Sequence, residues 1–388
     1  MMRLTGKLML AAAGLLPISA AQAACDAANQ YRFSFANQTA RSLSYNSSYS
    51  YTATNGLGGS EPFSINITQN GLSSTAGGSQ TLPAISTLIS GATVQNSLVV
   101  GGTLSGRTAN ITSNTRVMRV VFNFTQPVRD AELALFDIDF TSNQFRDWVH
   151  VVGNDANGVS HTPVMTSPAG NGNQAGRPTT ATGSSVLFQQ GGTNARQATG
   201  NAASGNNANT GTINISFTQP VTSITFSYGN APLQGSETNT GPQAVGISGI
   251  AYCPMPQLTV SKNSSAVSGS LGVYNLPDNE VIYTLTVTNS GGSPVDAASL
   301  LLTDQLPAEL DFRNQPFDGT TSLPVKLVTA GGTTLAASGL SFQQRGGTAY
   351  TYNPASGFDP QVGGVRIVPQ GELGANATLQ LQYRARIR

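Results

Sequence analysis

Val221-Thr222-Ser223-Ile224-Thr225-Phe226-Ser227-Tyr228 decides the fold. In an extended chain Val221, Ser223, Thr225 and Ser227 fall on one side. Thr222, Ile224, Phe226 and Tyr228 fall on the other. A polar side backed by an apolar one predicts a strand of an antiparallel sheet with one wet and one buried face. The same kind of run recurs along the chain as Arg116 to Phe124 (RVMRVVFNF), Ala131 to Phe140 (AELALFDIDF), Trp148 to Val152, Thr212 to Phe217 (TINISF) and Val281 to Thr288 (VIYTLTVT). Each run is short, rich in β-branched and aromatic residues, and bounded by Gly, Asn, Ser or Pro. Helical spacing is not sustained in any window beyond the first residues. Many short strands between turn residues predict an all-β protein made of packed sandwiches.

One run echoes another. Phe124-Thr125-Gln126-Pro127-Val128 recurs as Phe217-Thr218-Gln219-Pro220-Val221. Proline cannot donate to a sheet ladder, so each Gln-Pro reads as a corner between two strands. Two copies are too few for a repeat array.

The chain has 388 residues, two Cys, two His and 10% charged residues. That charge content is far below the ~25% of ordinary globular proteins and excludes a basic nucleic-acid binder. No stretch reaches the ~20 apolar residues of a membrane helix. At ~150 residues per domain, the length predicts two domains.

Residues 1–23 read as a signal peptide: Arg3 and Lys7, the apolar run Leu8 to Leu16, and Ala21-Gln22-Ala23 as the cleavage signal. Without Arg3 and Lys7 the 19 basic residues fall to 17, against 18 acidic ones. Gln22 departs from the aliphatic residue that a lipoprotein signal places three before its cysteine, so Cys25 is read as a disulfide partner of Cys253. Export puts both thiols where disulfides persist, and two cysteines allow one pairing. That bond staples the first strand of a domain, residues 24–253, to its last. Residues 254–257 form a Pro-rich linker, and residues 258–388 form a second domain. Within the first domain, residues 166–211 are dominated by Gly, Asn, Ala, Thr and Gln, which predicts a long, mobile polar loop around one short strand.

The best candidate for chemistry is acidic. Asp137 and Asp139 share one face of an extended chain with Cα atoms ~7 Å apart. Asp147 follows a short polar loop. Together they form a candidate Ca²⁺ site, since calcium takes six to eight oxygens. The competing reading is that all three are solvated edge residues. Asn157-Gly158 reads as a hairpin turn. His150, between Val149 and Val151, faces away from both. Neither it nor His161 has a nucleophile motif nearby, and no G-x-S-x-G elbow, zinc spacing or phosphate loop occurs. Tyr31, Tyr45, Tyr49, Tyr51 and Trp148 are candidates for stacking on sugars, or for core packing.

The second domain resembles a known family. Tyr283-Thr284-Leu285-Thr286-Val287-Thr288-Asn289-Ser290-Gly291 and Leu302-Thr303-Asp304-Gln305-Leu306-Pro307 match the strand-and-turn motifs of the bacterial surface repeat called domain of unknown function eleven. The resemblance covers about residues 257–388. It implies an immunoglobulin-like sandwich of exported surface proteins, without catalytic residues. Residues 25–253 are more loosely similar to N-terminal sandwich modules of proteobacterial exported proteins, through Phe136-Asp137-Ile138-Asp139 and Phe226-Ser227-Tyr228-Gly229. Asp304 itself reads as a turn acceptor for backbone N–H groups.

These readings combine into an N-terminal jelly-roll-like sandwich followed by an immunoglobulin-like one. The expected function is that of a non-catalytic exported surface protein of a Gram-negative bacterium, structural or adhesive. The alternative is a Ca²⁺-assisted, lectin-like module on an immunoglobulin-like spacer. The implied partners are an extracellular glycan or another surface protein, with no nucleic acid and no membrane segment in the mature chain.

Overall fold

A computed structural model describes residue 25 and residues 27–141, 144–168, 179–180, 186–188, 195–231, 241–267, 272–273 and 275–388. The expected signal peptide lies outside the described residues, as do residues 169–178, 181–185 and 189–194 of the expected polar loop. The chain divides into two compact units, Ala24–Met255 and Pro256–Arg388. Both are built from antiparallel strands, so the protein is all-β.

In the N-terminal unit the principal strands are β1 (Tyr31–Ser34), β2 (Ser47–Thr54), β3 (Ser60–Asn70), β4 (Ser97–Leu104), β5 (Val117–Phe136), β6 (Phe145–Asn154), β7 (Val164–Thr166), β8 (Gln197–Gly200), β9 (Ile213–Ser216), β10 (Val221–Asn230), β11 (Gln243–Ile247) and β12 (Gly249–Pro254). Strand β5 is 20 residues long and serves two ladders. Its first half, Val117 to Phe124, lies between β3 and β10. Its second half pairs with β12 and β11 on one side and with β9 on the other.

The two Gln-Pro corners resolve differently from each other. Gln219-Pro220 is a turn between β9 and β10, as the sequence predicts. Gln126-Pro127 is instead a bend inside β5, where the register breaks between Asn123 and Val128. The echoed segments meet, because Val128 pairs with Val221. Both chains therefore cross from one sheet region to the other at the same place. Proline is tolerated there because the ladder is already interrupted.

The apolar faces close over one core that includes Phe33, Phe63, Ile65, Val120, Phe122, Leu133, Ile215, Ile224, Phe226 and Tyr252. Each such side chain contributes ~1.5–3 kcal/mol relative to exposure. Val186 and Phe188, in the short strand expected within the polar loop, are buried in this core. Cys25 and Cys253 are joined, with Cα atoms 6.0 Å apart across a sequence separation of 228. The bond ties the start of the unit to β12, which itself pairs with β1 through Tyr31 and Tyr252.

The C-terminal unit contains β13 (Leu258–Ala266), β14 (Glu280–Asn289), β15 (Leu302–Gln305), β16 (Leu310–Asn314), β17 (Val325–Thr329), β18 (Leu340–Gln344), β19 (Val362–Ile367) and β20 (Thr378–Ile387). One sheet runs β13-β14-β20-β16, with β17 also on β20; the other runs β15-β19-β18. Leu285, Val287, Phe312, Val365, Leu381 and Tyr383 pack between them. Asn289 ends β14 as turn chemistry predicts. Its Oδ1 accepts from the N–H groups of Gln257 and Gly291, and its Nδ2 donates to the carbonyls of Ser293 and Gly374.

Asp304 corrects the turn reading. It sits in β15, buried, and its carboxylate accepts from Lys262 Nζ at 2.7 Å and from Tyr383 O–H at 2.6 Å. Lys262 also lies 4.3 Å from the centre of the Tyr283 ring. Removing the carboxylate strands a buried hydroxyl and an ammonium. Asp304→Ala is expected to destabilise the C-terminal unit by ~1–3 kcal/mol, measured by urea denaturation. Cys25→Ser should lower the melting transition of the N-terminal unit alone, with loop-closure entropy setting an upper bound of ~5 kcal/mol. Calorimetry with and without reductant checks it, and an unchanged transition of that unit contradicts it.

Candidate functional site

Two features of the N-terminal unit gather polar side chains, and they differ in kind. The first is the acidic trio. The second is a groove on the outward face of the sheet.

Asp137 and Asp139 follow β5, where the chain bends sharply; Asp137 has φ +67°. Ile138 N–H bonds to the Gly211 carbonyl and anchors the bend. Asp147 lies in β6 and is fully buried. Its Oδ1 accepts from Tyr228 O–H at 2.5 Å, and its Oδ2 accepts from Asp139 N–H at 3.1 Å. Asp147 N–H in turn bonds to the Asp139 carbonyl, and Asp139 Oδ2 accepts from Ser204 N–H.

Of the residues expected to share a Ca²⁺ ion, Asp139 and Asp147 therefore hold each other, and Asp147 holds Tyr228 of β10. Among the described residues no group of three or more His, Cys, Asp or Glu side chains is placed to hold a metal ion. The solvated-edge reading also gives way, since all three carboxyls are at most 9% exposed.

Burial governs their charge. It pushes Asp137 up to about 7, with repulsion from Asp139 adding to it. It pushes Asp139 up to about 6, against the Ser204 hydrogen bond. Asp147 is raised well above the carboxylate range by burial and then by Asp139, although Tyr228 favours its ionised form. Asp137 Oδ1 is buried without a hydrogen-bond partner, which a neutral acid tolerates far better than an anion.

His150 does face away from Val149 and Val151, but it is buried. Burial, then the nearby Arg196 and Arg119, pull it down to about 4, so it is neutral at pH 7. His161 Nε2 is 3.0 Å from Asp155, which also caps the Asn157-Gly158 hairpin through Asn157 N–H and Val159 N–H. The early tyrosines belong to the fold. Tyr31 stacks on Tyr252, Tyr51 packs on Phe33, Tyr45 O–H reaches the Gly101 carbonyl, and Tyr49 O–H accepts from Ser44 N–H. Trp148 donates to Gln197 Oε1.

The groove crosses β1, β12, β5, β9 and β7. Pairing registers set Arg32, Ala251, Glu132, Ser216 and Val164 in one row. In the next row Ser34 faces Gly249, while Ala134 faces Asn214 and Asn214 faces Thr166. Beneath both rows Phe33, Leu133, Met165, Ile215 and Ile250 point into the main core. Ala251, Gly249 and Ala134 make a low floor, and the hollow above has a volume of about 560 Å³. Gly249 has φ +139°, and a Cβ there would sit 2.2 Å from the Phe33 carbonyl oxygen, so this part of the floor cannot be raised. Ala134 abuts a small second core of Leu82, Ala84, Ile89, Val99 and Phe136.

The outward polar positions were present in the sequence as the alternate residues of YRFS, AELA and TINIS. Tyr228 was visible only as an apolar-face residue, although a buried phenol calls for a partner.

No family model matches the chain, so the surface-repeat resemblance of residues 257–388 rests on its motifs. No curated protein matches it. Among solved structures, the N-terminal domain of the Streptococcus gordonii adhesin Sgo0707 is similar over 93% of this chain and 87% of that one, at 12% identity and a TM-score of 0.25.

A carboxyl with a raised folded pKa binds its proton more tightly folded than unfolded. Its contribution is present in acid and is lost as pH rises through the folded value. Asp137 and Asp139 therefore make stability fall between about pH 4 and pH 7. His150, lowered from 6.5 to about 4, opposes this over most of that window, but one group does not offset the two carboxyls. The N-terminal unit should melt higher at pH 5 than at pH 7.5, and Asp137→Asn should flatten the slope. A melting point that climbs toward pH 7.5 in the native chain contradicts this.

Proposed function

We propose that the chain is an exported, non-catalytic contact module. In this reading the N-terminal sandwich makes the contact and the C-terminal sandwich carries it. The observation that carries the reading is the groove: five strands, distant in sequence, present polar side chains over a floor of small residues. Export is supported by the three-part N-terminal segment and by a disulfide suited to an oxidising compartment. A hydrolytic reading has little support, because His150 is buried and neutral and both oxygens of Asp147 are engaged. The Ca²⁺-assisted alternative loses support for the same reason at its expected ligands.

The reading predicts processing at Ala23 and adhesion through the groove. N-terminal sequencing of the secreted material should begin at Ala24. Beads coated with the full chain should adhere to bacterial or animal cells. Ala251→Trp, which fills the hollow without touching the core beneath, should reduce adhesion at least fivefold with an unchanged melting point. Equal adhesion by the variant would refute the groove as the contact surface.

A further inference from the structure

We infer that the groove takes a neutral, hydroxyl-rich ligand, a short glycan, held without metal by Arg32, Glu132, Asn214 and Thr166. The inference rests on the contact reading of the same face.

The first argument is which groups remain to be satisfied. Among the described residues, the side chains of Arg32, Glu132, Thr166, Asn214 and Ser216 make no hydrogen bond or ion pair within the protein. Two of their neighbours are already engaged: Ser34 Oγ accepts from Ala36 N–H, and Ser248 Oγ accepts from Ala134 N–H. So the free groups line one hollow, while the polar side chains nearest them serve the backbone. Arg32 brings donors, Glu132 brings acceptors, and Asn214 and the hydroxyls bring both. A sugar hydroxyl donates and accepts at once, which is what this mixture matches.

The second argument is charge. Arg32 and Glu132 flank Ala251 in one row, and among the described residues they are the only Arg, Lys, Asp or Glu lining the hollow. Their charges cancel, so neither a polyanion nor a polycation is favoured there.

The third argument is what the face lacks for a protein partner. Protein contacts rely on buried aromatic or Arg anchors at the centre of the patch. Here the centre is Ala251, Gly249 and Ala134, and the larger apolar side chains around them, Phe33, Leu133, Ile215 and Ile250, point inward; exposed Val164 stands apart on the edge strand β7. The main-chain groups of β12, β5 and β9 are used by neighbouring strands on both sides. An added peptide strand therefore finds no ladder to join at the centre of this face. Five strands at ~4.8 Å spacing span roughly 19 Å, room for a short chain of sugar rings rather than one.

The test uses the full chain and four probes: fluorescent cellohexaose, maltohexaose, mannohexaose and chitohexaose, in fluorescence anisotropy with and without EDTA. At least one should bind, equally well with chelator. Glu132→Ala and Asn214→Ala should each weaken it at least tenfold, with melting points unchanged because both side chains are exposed. Binding abolished by EDTA, or unaffected by both variants, overturns the inference. If no probe binds, bead adhesion separates the two readings. Adhesion lost in Glu132→Ala would leave a contact surface whose ligand is not a neutral glycan. Adhesion unchanged in both variants would remove the contact reading as well.

Discussion

The N-terminal unit depends on one strand doing two jobs. Strand β5 pairs with β3 and β10 before Pro127 and with β12, β11 and β9 after it. A strand that changes partners must break register somewhere, and it does so where proline already forfeits a donor. The neighbouring chain makes the same crossing at Pro220, and Val128 meets Val221 at the junction. The acidic bend lies at the far end of this strand, and the groove lies across its second half. The Cys25–Cys253 bond fixes β12, the neighbour that follows the bend. Straightening β5 would separate all three.

Each unit buries a carboxylate against a tyrosine from a central strand, and the pairs are balanced differently. Asp304 has Tyr383 and a cation, Lys262, whose stem and ammonium also cover Tyr283. Asp147 has Tyr228 and a backbone N–H, with two further carboxyls close by. The first site thus pairs its carboxyl with a cation 2.7 Å away. Among the described residues the hydrogen-bond partners of the Asp147 and Asp139 carboxyls are a phenol and backbone N–H groups, and burial and repulsion push protons onto the trio. Such polar contacts link strands far apart in sequence, β6 to β10 and β15 to β20.

Much of the fold was legible. Period two in VTSITFSY puts Ile224, Phe226 and Tyr228 inward as expected, but Val221, from the expected wet side, is also in the core where it pairs with Val128, and Ser227 is buried as well. The joined cysteines follow from residue chemistry alone, while the expected linker 254–257 is shorter, since Pro254 still belongs to β12. Lateral order was not legible, because the neighbours of Glu132 are Ala251 and Ser216, brought together by long-range pairing that no local pattern encodes. For the same reason the first FTQPV segment looked like a turn: in isolation it has the turn residues, and the ladders that end at Phe124 and resume at Val128 hold it extended between them. Asp304 misled similarly. Its place before Gln305-Leu306-Pro307 suggests a turn, whereas its partners come from strands 42 and 79 residues away.

On the proposed reading the groove rather than the acidic trio makes the contact, and hydrogen bonding supports that choice. Charged residues near strand ends draw attention in a sequence, yet both Asp147 oxygens and Asp139 Oδ2 are spent on the fold's own N–H and O–H groups. A ligand there would have to compete with hydrogen bonds whose loss leaves buried donors unsatisfied, at ~1–3 kcal/mol each. On the outward face the cost runs the other way. Arg32, Glu132 and Asn214 are solvated already, so a ligand that replaces their water with matched hydroxyls leaves the fold's own bonds intact. Recognition can vary at these positions without disturbing Phe33, Leu133 and Ile215 directly beneath them, which gives the sandwich a stable core and a separately adjustable face.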